Sequence, residues 1–275
     1  MRVRLLGTAA AEGWPALFCR CEHCARARAA GGRNLRARSA ASVDGAFRFD
    51  LGPDTYHQVL AGEDLSAVRH LVFTHAHGDH LQAGELEYRQ APYAHGLEGP
   101  LHVWGNARVL GRIRDVFHGE PERAGLVLHA LEPFVEVALD DATLLPLAAD
   151  HDPRESCLIH LFGRGGRWLL YGHDTGYFPE PTWEALGRWA AAGRRLDLAL
   201  LDCTGGPLPY RQGHMGLDAC REVRERLLAS GVATAATRFV LTHFSHNGGL
   251  TYDELRPRAE PLGFEVAYDG MEIAL

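Results

Sequence analysis

The chain has 275 residues, of which 46% are hydrophobic, and a formal net charge of −7 at pH 7. It can bury a full core, and we expect one domain covering residues 1–275. The acidic balance excludes a protein whose main partner is a nucleic acid, because binding to a phosphate backbone needs a basic face. The charged opening does not fit a signal peptide and no stretch approaches a membrane span, so we expect a cytoplasmic protein.

Three cysteines crowd into the segment 19–24, which is Cys-Arg-Cys-Glu-His-Cys. Cys19, Cys21 and Cys24 are too close together for an ordinary disulfide framework, but they are well placed to bind one metal ion. Buried or reactive thiols are the alternative interpretation. The arginine-rich stretch 26–38 is expected to be a solvated loop, with phosphate binding as its alternative.

Short β-like runs dominate the first half of the chain, and strands mixed with helices follow. Strands are predicted from Val, Leu and Phe content at Val3–Thr8, Ser42–Asp50, Val68–Thr74, Leu101–Trp104, Leu126–Leu131, Phe134–Leu139, Thr143–Ala148, Cys157–Phe162, Trp168–Tyr171, Leu196–Leu201, Phe239–Thr242, Phe264–Tyr268 and Met271–Ala274. Apolar spacing predicts helices at Thr182–Ala192, Leu217–Ala229 and Thr251–Ala259. Asp269-Gly270, between the last two strands, predicts a hairpin. This order indicates an α/β layered sandwich.

The segment 73–80, Phe-Thr-His-Ala-His-Gly-Asp-His, carries the strongest chemical signal. An apolar strand delivers four potential ligands directly after it ends: His75, His77, Asp79 and His80. Imidazole and carboxylate together suit Zn, Mn or Fe, and one tetrahedral site does not need four ligands from one loop. The segment therefore predicts two metal ions, against the alternative of ordinary surface or core histidines.

Three later strand ends repeat this arrangement of an apolar strand followed by a ligand-type residue. They place His151, Asp174 and His243 as further ligands. Asp150 and His173 lie beside two of them, and we interpret both as supporting or structural residues.

The cysteine segment needs a fourth ligand if it holds a structural zinc ion, because such sites are closed and four-coordinate. His246, three residues after His243, is favoured over His23, which lies within the cysteine loop itself.

HxHxDH followed by spaced His, Asp and His resembles the metallo-β-lactamase superfamily over nearly the whole chain. The resemblance implies an αββα sandwich with two divalent ions, Zn or Mn, at one edge. It implies that one ion is bound by His75, His77 and His151. It assigns the other ion to Asp79, His80 and His243, with Asp174 bridging the two.

Within this superfamily, Gly7-Thr8, the cysteine segment, HxHxDH, THxSH at 242–246 and the closing YDGMEI resemble the accessory phosphodiesterase family of the carbon–phosphorus lyase pathway. That resemblance implies hydrolysis of small cyclic phosphodiesters by a water that bridges two metal ions. It also implies a separate zinc ion on Cys19, Cys21, Cys24 and His246. Asp79 and His214 are its candidate catalytic residues, although His214 also fits a histidine at a helix N-terminus without a catalytic role.

Other functions also fit the sequence. The chain also resembles the metallo-β-lactamase-like protein of pyrroloquinoline quinone biosynthesis, a family whose metal motif is commonly degraded, whereas HxHxDH is intact here. The alternatives are therefore hydrolysis of a lactone, thioester or β-lactam, or a role as an accessory protein in cofactor biosynthesis. A tRNA-processing nuclease would carry a basic extension, which is absent. The segments 92–98 and 118–123 differ from the phosphodiesterase and are expected near the substrate entrance. The expected partner is a small phosphodiester, with no membrane partner, and a homodimer is left open.

Overall fold

The protein is described by a computed structural model that covers residues 1–275. Its fourteen strands, in chain order, are β1 (Arg2–Gly7), β2 (Ala40–Val43), β3 (Phe47–Phe49), β4 (His70–Val72), β5 (Leu101–Gly105), β6 (Leu126–Ala130), β7 (Val137–Leu139), β8 (Ala142–Ala148), β9 (Leu158–Arg164), β10 (Arg167–Gly172), β11 (Leu198–Asp202), β12 (Arg238–Thr242), β13 (Glu265–Val266) and β14 (Glu272–Ala274). Its six α-helices are α1 (Glu22–Ala30), α2 (Thr55–Leu60), α3 (Ala107–Val116), α4 (Glu180–Ala191), α5 (Leu217–Ala229) and α6 (Tyr252–Ala259).

The strands form two seven-stranded sheets, in the orders β14-β1-β2-β3-β4-β5-β6 and β13-β12-β11-β10-β9-β8-β7. Each sheet has three antiparallel pairings on one side and three parallel pairings on the other, and these run from β14 in the first sheet and from β7 in the second. The two halves thus share one arrangement, although the sequence shows no repeat. The predicted α/β sandwich is confirmed.

A core of 57 buried residues joins the two sheets. All five residues of the parallel strand β11 are buried, which explains why its sequence is almost entirely apolar. A second cluster of 16 buried residues packs between the first sheet and the layer that contains α3. No helix is both long and apolar enough to cross a membrane.

One strand prediction and one turn prediction are wrong. The run Ser42–Asp50, predicted as one strand, is an antiparallel pair, β2 and β3, whose turn holds Asp44 and Gly45 at φ of 50° and 71°. The hairpin predicted at Asp269-Gly270 is wrong, because β13 belongs to the second sheet and β14 to the first. The carboxylate of Asp269 accepts hydrogen bonds from the Thr8 hydroxyl and the Ala37 backbone, which tie this crossing segment to the first sheet.

The segment 26–38 is not a solvated loop. Its first residues complete α1, which begins after Cys21, whose Sγ accepts a hydrogen bond from the Cys24 backbone. Arg36 is 5% exposed and donates to the Thr8 hydroxyl and the Ala267 carbonyl. A buried arginine needs such acceptors, and sequence alone does not reveal them.

The three predicted helices are present, and α5 has the predicted bounds. Helix α6 begins after Thr251, which forms a capping box with Glu254. Helices α2 and α3 were not predicted from the sequence. Asn106 caps α3 by accepting a hydrogen bond from the Val109 backbone.

Candidate metal centre

Seven residues from both sheets converge at one edge of the sandwich, and their ligand atoms form two groups. Within each group, the ligand atoms lie within 4.8 Å of one another. One group is His75, His77, His151 and Asp174, and the other is Asp79, His80, Asp174 and His243. Asp174 belongs to both. This is the grouping that the superfamily resemblance implies, and the assignment of ligands stays a prediction.

Two of these residues have unusual backbone conformations. Asp174 and His243 have φ of 53° and 59°, in the left-handed region that residues other than glycine rarely adopt. Each follows the end of a parallel strand, β10 or β12, so the turn directs its side chain into the space between the sheet edges. The Oδ2 of Asp174 lies 3.2 Å from the Nε2 atoms of both His75 and His80.

Four buried atoms in the two groups have no hydrogen-bond partner: the Nε2 atoms of His75, His80 and His243 and the Oδ1 of Asp174. Buried polar atoms are normally paired, and these four face the same gap. Burial opposes ionisation of Asp174, but the charge of His243 and the adjacent imidazoles of His75 and His80 outweigh it and hold the pKa of Asp174 well below its usual value. An anionic carboxylate among imidazole nitrogens fits divalent cations such as Zn or Mn.

Asp50, at the end of β3, holds His80 in place. Its buried carboxylate accepts hydrogen bonds from His80 Nδ1 at 2.8 Å and from the Thr74 backbone at 3.0 Å. Burial raises the pKa of Asp50, but the charge and hydrogen bond of His80 outweigh it and hold that pKa below its usual value. Because Nδ1 is occupied, Nε2 of His80 is the nitrogen that remains for a metal ion.

Asp202, at the end of β11, contacts two histidines at once. Its Oδ2 lies 3.2 Å from Nδ1 of His243 and 3.2 Å from Nδ1 of His214. The backbone N–H of Met215 donates to its other oxygen at 3.0 Å. Burial opposes protonation of His214, but the hydrogen bond and charge of Asp202, with Asp174 and Asp79 adding theirs, raise the pKa of His214 to about 9. This pairing with Asp202 favours the protonated form of His214.

The sequence reading missed three carboxylates that orient the site. They are Asp50, Asp202 and Asp152, the last of which accepts a hydrogen bond from His77 Nε2 at 3.0 Å. Asp50 and Asp202 each stand at the end of a predicted strand, so the rule that found His151, Asp174 and His243 applied to them too. Asp152 has no such signal.

The two residues set aside as supporting or structural lie outside both groups. His173 is fully buried and stacks on Tyr171 with ring centroids 3.8 Å apart. Asp150 accepts a hydrogen bond from the Gly213 backbone at 3.1 Å and so anchors the segment that carries His214.

A cavity of ≈ 380 Å³ opens onto both groups. Its walls are formed by Ala10, Ala11, Glu12, His77, Asp79, His151, Asp174, Thr204, Tyr210, His214, His243, Ser245 and Asn247. Neither segment 92–98 nor segment 118–123, both expected near the substrate entrance, lines this cavity. Tyr93 instead lines a separate, mostly apolar cavity beside α2.

A third group lies where the loop before α1 meets the segment after β12. The ligand atoms of Cys19, Cys21, Cys24 and His246 lie within 4.8 Å of one another. Nδ1 of His246 is 3.4 Å from the Cys21 Sγ, and His23 is outside the group. A hydrogen bond from the Cys24 backbone lowers the pKa of Cys21 to about 6, so this thiol is ionised at neutral pH, whereas burial raises the pKa of Cys24 to about 11. Three sulfurs and one imidazole suit a closed zinc site, whose formation would displace the remaining thiol protons.

Freshly purified protein is expected to contain about three divalent metal ions per chain, because the two bridged groups and the cysteine group provide three sites. Elemental analysis by plasma mass spectrometry checks this number. After mild chelation, we expect the cysteine site to retain its ion longest, since its ligands are thiolates. One ion or none in protein never exposed to a chelator would contradict the ligand sets.

Comparison with known proteins extends over the whole chain. Residues 43–244 match the family described as the beta-lactamase superfamily domain. Coenzyme PQQ synthesis protein B from Cupriavidus necator is 28% identical over 322 residues, which cover 99% of each chain.

Two solved structures show the same fold at lower identity. A diphosphatase from the PhnP family has a TM-score of 0.75 and 24% identity, with 100% of this chain and 97% of that chain covered. Zn²⁺-bound PqqB from Methylobacterium extorquens has a TM-score of 0.70 and 20% identity, with 100% of each chain covered.

Proposed function

The chain belongs to the β-lactamase superfamily, and from that membership and the geometry of its site we propose a metal-dependent hydrolase that cleaves small phosphodiesters. One observation carries the proposal: His214, which is paired with the buried Asp202, lines the same cavity as the two metal groups that share Asp174. A site of this kind combines cation ligands with an adjacent proton donor. Phosphodiester cleavage uses both, because charge develops on the phosphate and on the leaving oxygen together.

Two divalent ions, when bound, would lower the pKa of a water and offset negative charge on the phosphate. The chain's own residues arrange the rest. Asp50 and Asp202 hold His80 and His243 by their Nδ1 atoms, so that the Nε2 atoms face the gap. Asp202 also favours the protonated form of His214, whose side chain is 30% exposed and lines the cavity. That proton can pass to a leaving alkoxide.

The compared proteins support phosphate chemistry unequally. The PhnP-family structure is named a diphosphatase, and an enzyme of that kind hydrolyses a phosphorus–oxygen bond. The full-length match to coenzyme PQQ synthesis protein B supports a second candidate, a role in coenzyme synthesis. The seven-residue ligand set and the proton donor favour hydrolysis.

The proposal is tested with wild-type protein loaded with Mn²⁺ or Zn²⁺, on bis-p-nitrophenyl phosphate and on adenosine 2′,3′-cyclic phosphate. We expect turnover of both that is lost on chelation and restored by metal. Lactone, thioester and β-lactam substrates serve as the comparison. Hydrolysis of one of these with no phosphodiester cleaved would contradict the proposal, and loss of all hydrolysis would favour the coenzyme-synthesis role.

His214→Ala is expected to slow hydrolysis of the cyclic nucleotide by roughly a hundredfold or more, the usual scale of acid–base assistance. It should slow bis-p-nitrophenyl phosphate much less, because nitrophenolate leaves without a proton. The measurement is kcat on both substrates. The control is His57→Ala, which removes an exposed histidine of α2. Equal losses on the two substrates would show that His214 binds phosphate rather than donating a proton.

A further inference from the structure

One wall of the metal-centre cavity, away from the two metal groups and His214, has no cationic side chain. Thirteen residues line the cavity, and none of the chain's 28 arginine and lysine residues is among them. Arg38 donates a hydrogen bond to the carbonyl of the lining residue Ala11, but its guanidinium is paired with Asp54 and does not line the cavity. Arg154 and Arg211 are paired with Asp152 and Glu222. Beyond the metal ligands and His214, the wall therefore offers a phosphorylated ligand no cation.

That wall instead presents a carboxylate. Glu12 lies in the turn between β1 and α1, and 29% of its side chain is exposed. Its Oε1 accepts a hydrogen bond from the Ser245 hydroxyl and lies 3.7 Å from His246 Nε2. Its other oxygen makes no hydrogen bond within the protein. Ser245 and His246 thus hold Oε1 of Glu12, and Oε2 is available to a ligand in the cavity.

Apart from the metal groups, His214 and Glu12, the polar residues that line the cavity are uncharged. Ser245, Asn247, Thr204 and Tyr210 contribute hydroxyl and amide groups to the same cavity. A substrate whose reacting phosphate lies at the metal groups would place the rest of its structure against this wall. Hydroxyl groups there can donate to Glu12, whereas a second phosphate would face a like charge with no cation to offset it.

We infer that Glu12 is a specificity-determining residue, which selects phosphodiesters with a single negative charge and discriminates against substrates that carry a second phosphate. The inference rests on the proposed function and names the substrate class within it. It assigns Glu12 to contact with the substrate rather than to the chemical step.

The test compares adenosine 2′,3′-cyclic phosphate with the same molecule bearing a 5′-phosphate. Glu12→Gln keeps the shape and an acceptor for Ser245 but removes the charge. It should raise the ratio of kcat/KM for the 5′-phosphorylated substrate to that for the parent by about tenfold, the scale of a like-charge contact in a partly hydrated cleft. Glu87→Gln removes a carboxylate from an exposed position outside the cavity and should leave the ratio unchanged.

Because Glu12 lies close to His246, Glu12→Gln could also act by disturbing the cysteine group. A second variant distinguishes these two effects. Asn247→Asp adds a carboxylate to the same wall and should lower the ratio, and zinc content is measured for every variant. If neither Glu12→Gln nor Asn247→Asp shifts the ratio, the inference is overturned.

A binding measurement separates this inference from the proposed function. Calorimetry of wild type and Glu12→Gln with adenosine 3′-phosphate and adenosine 3′,5′-bisphosphate should show the same shift in relative affinity. If wild type cleaves neither cyclic substrate, the proposed function fails, and the calorimetry still decides the role of Glu12. Equal relative affinities in wild type and Glu12→Gln would reject it.

Discussion

Asp174→Ala is expected to reduce kcat on bis-p-nitrophenyl phosphate by roughly a thousandfold or more, because it removes the one residue shared by both metal groups. The loss should be larger than for any single histidine ligand. There are two physical causes: each ion loses an anionic ligand, and the gap between the histidines that follow β4 and β12 loses negative charge. Asp79→Ala, which affects one group, should cost less than Asp174→Ala but still orders of magnitude.

The measurement pairs steady-state kinetics with metal content for each variant. Asp174→Ala should contain fewer ions than wild type while the cysteine site keeps its own. Asp115→Ala, which removes an exposed carboxylate of α3, is the matched control and should behave as wild type. Near-normal activity in Asp174→Ala, with both ions retained, would show that Asp174 does not bridge.

Cys21→Ser is expected to lose one metal ion and to lower the melting temperature by roughly 10 °C or more. The cysteine group joins the loop before α1 to the segment that follows β12, so the binding energy of an ion there is folding energy. Serine replaces the thiolate whose pKa of about 6 makes it the ligand ionised at neutral pH. Activity should fall only as far as the protein unfolds.

Cys157→Ser is the matched control for this experiment. It makes the same chemical change at a buried cysteine that belongs to no ligand group. It should keep all metal ions and melt closer to wild type. If Cys21→Ser melts like wild type and keeps its zinc, the three cysteines serve another purpose.

The sequence predicts the sandwich and the convergence of the seven candidate ligands because both depend on a local pattern. An apolar strand followed by a ligand-type residue is visible in a short window, as at His151 and His243. The same pattern would have found Asp50 and Asp202 had it been applied to every strand end. Their importance was hidden because a lone aspartate after a strand looks like a turn residue until its histidine partners are known.

Other features depend on contacts between residues far apart in the chain, which no local pattern contains. Arg36 looked solvated because its acceptors, at Thr8 and Ala267, come from opposite ends of the sequence. The Asp269-Gly270 pair looked like a hairpin because its two strands are adjacent in sequence, yet they join different sheets. Glu12 gave no signal, since its partner Ser245 lies 233 positions away.

The division of the proposed ligands between the two sheets has a consequence for the order in which this protein matures. Each metal group takes residues from the loop after β4 and from segments beyond β7, and one ends at His243, after the twelfth of fourteen strands. A ribosome must therefore complete most of the chain before either proposed metal group has its full set of ligands. The nascent first half carries the whole HxHxDH motif, but it cannot complete either metal group until the second half has been synthesised.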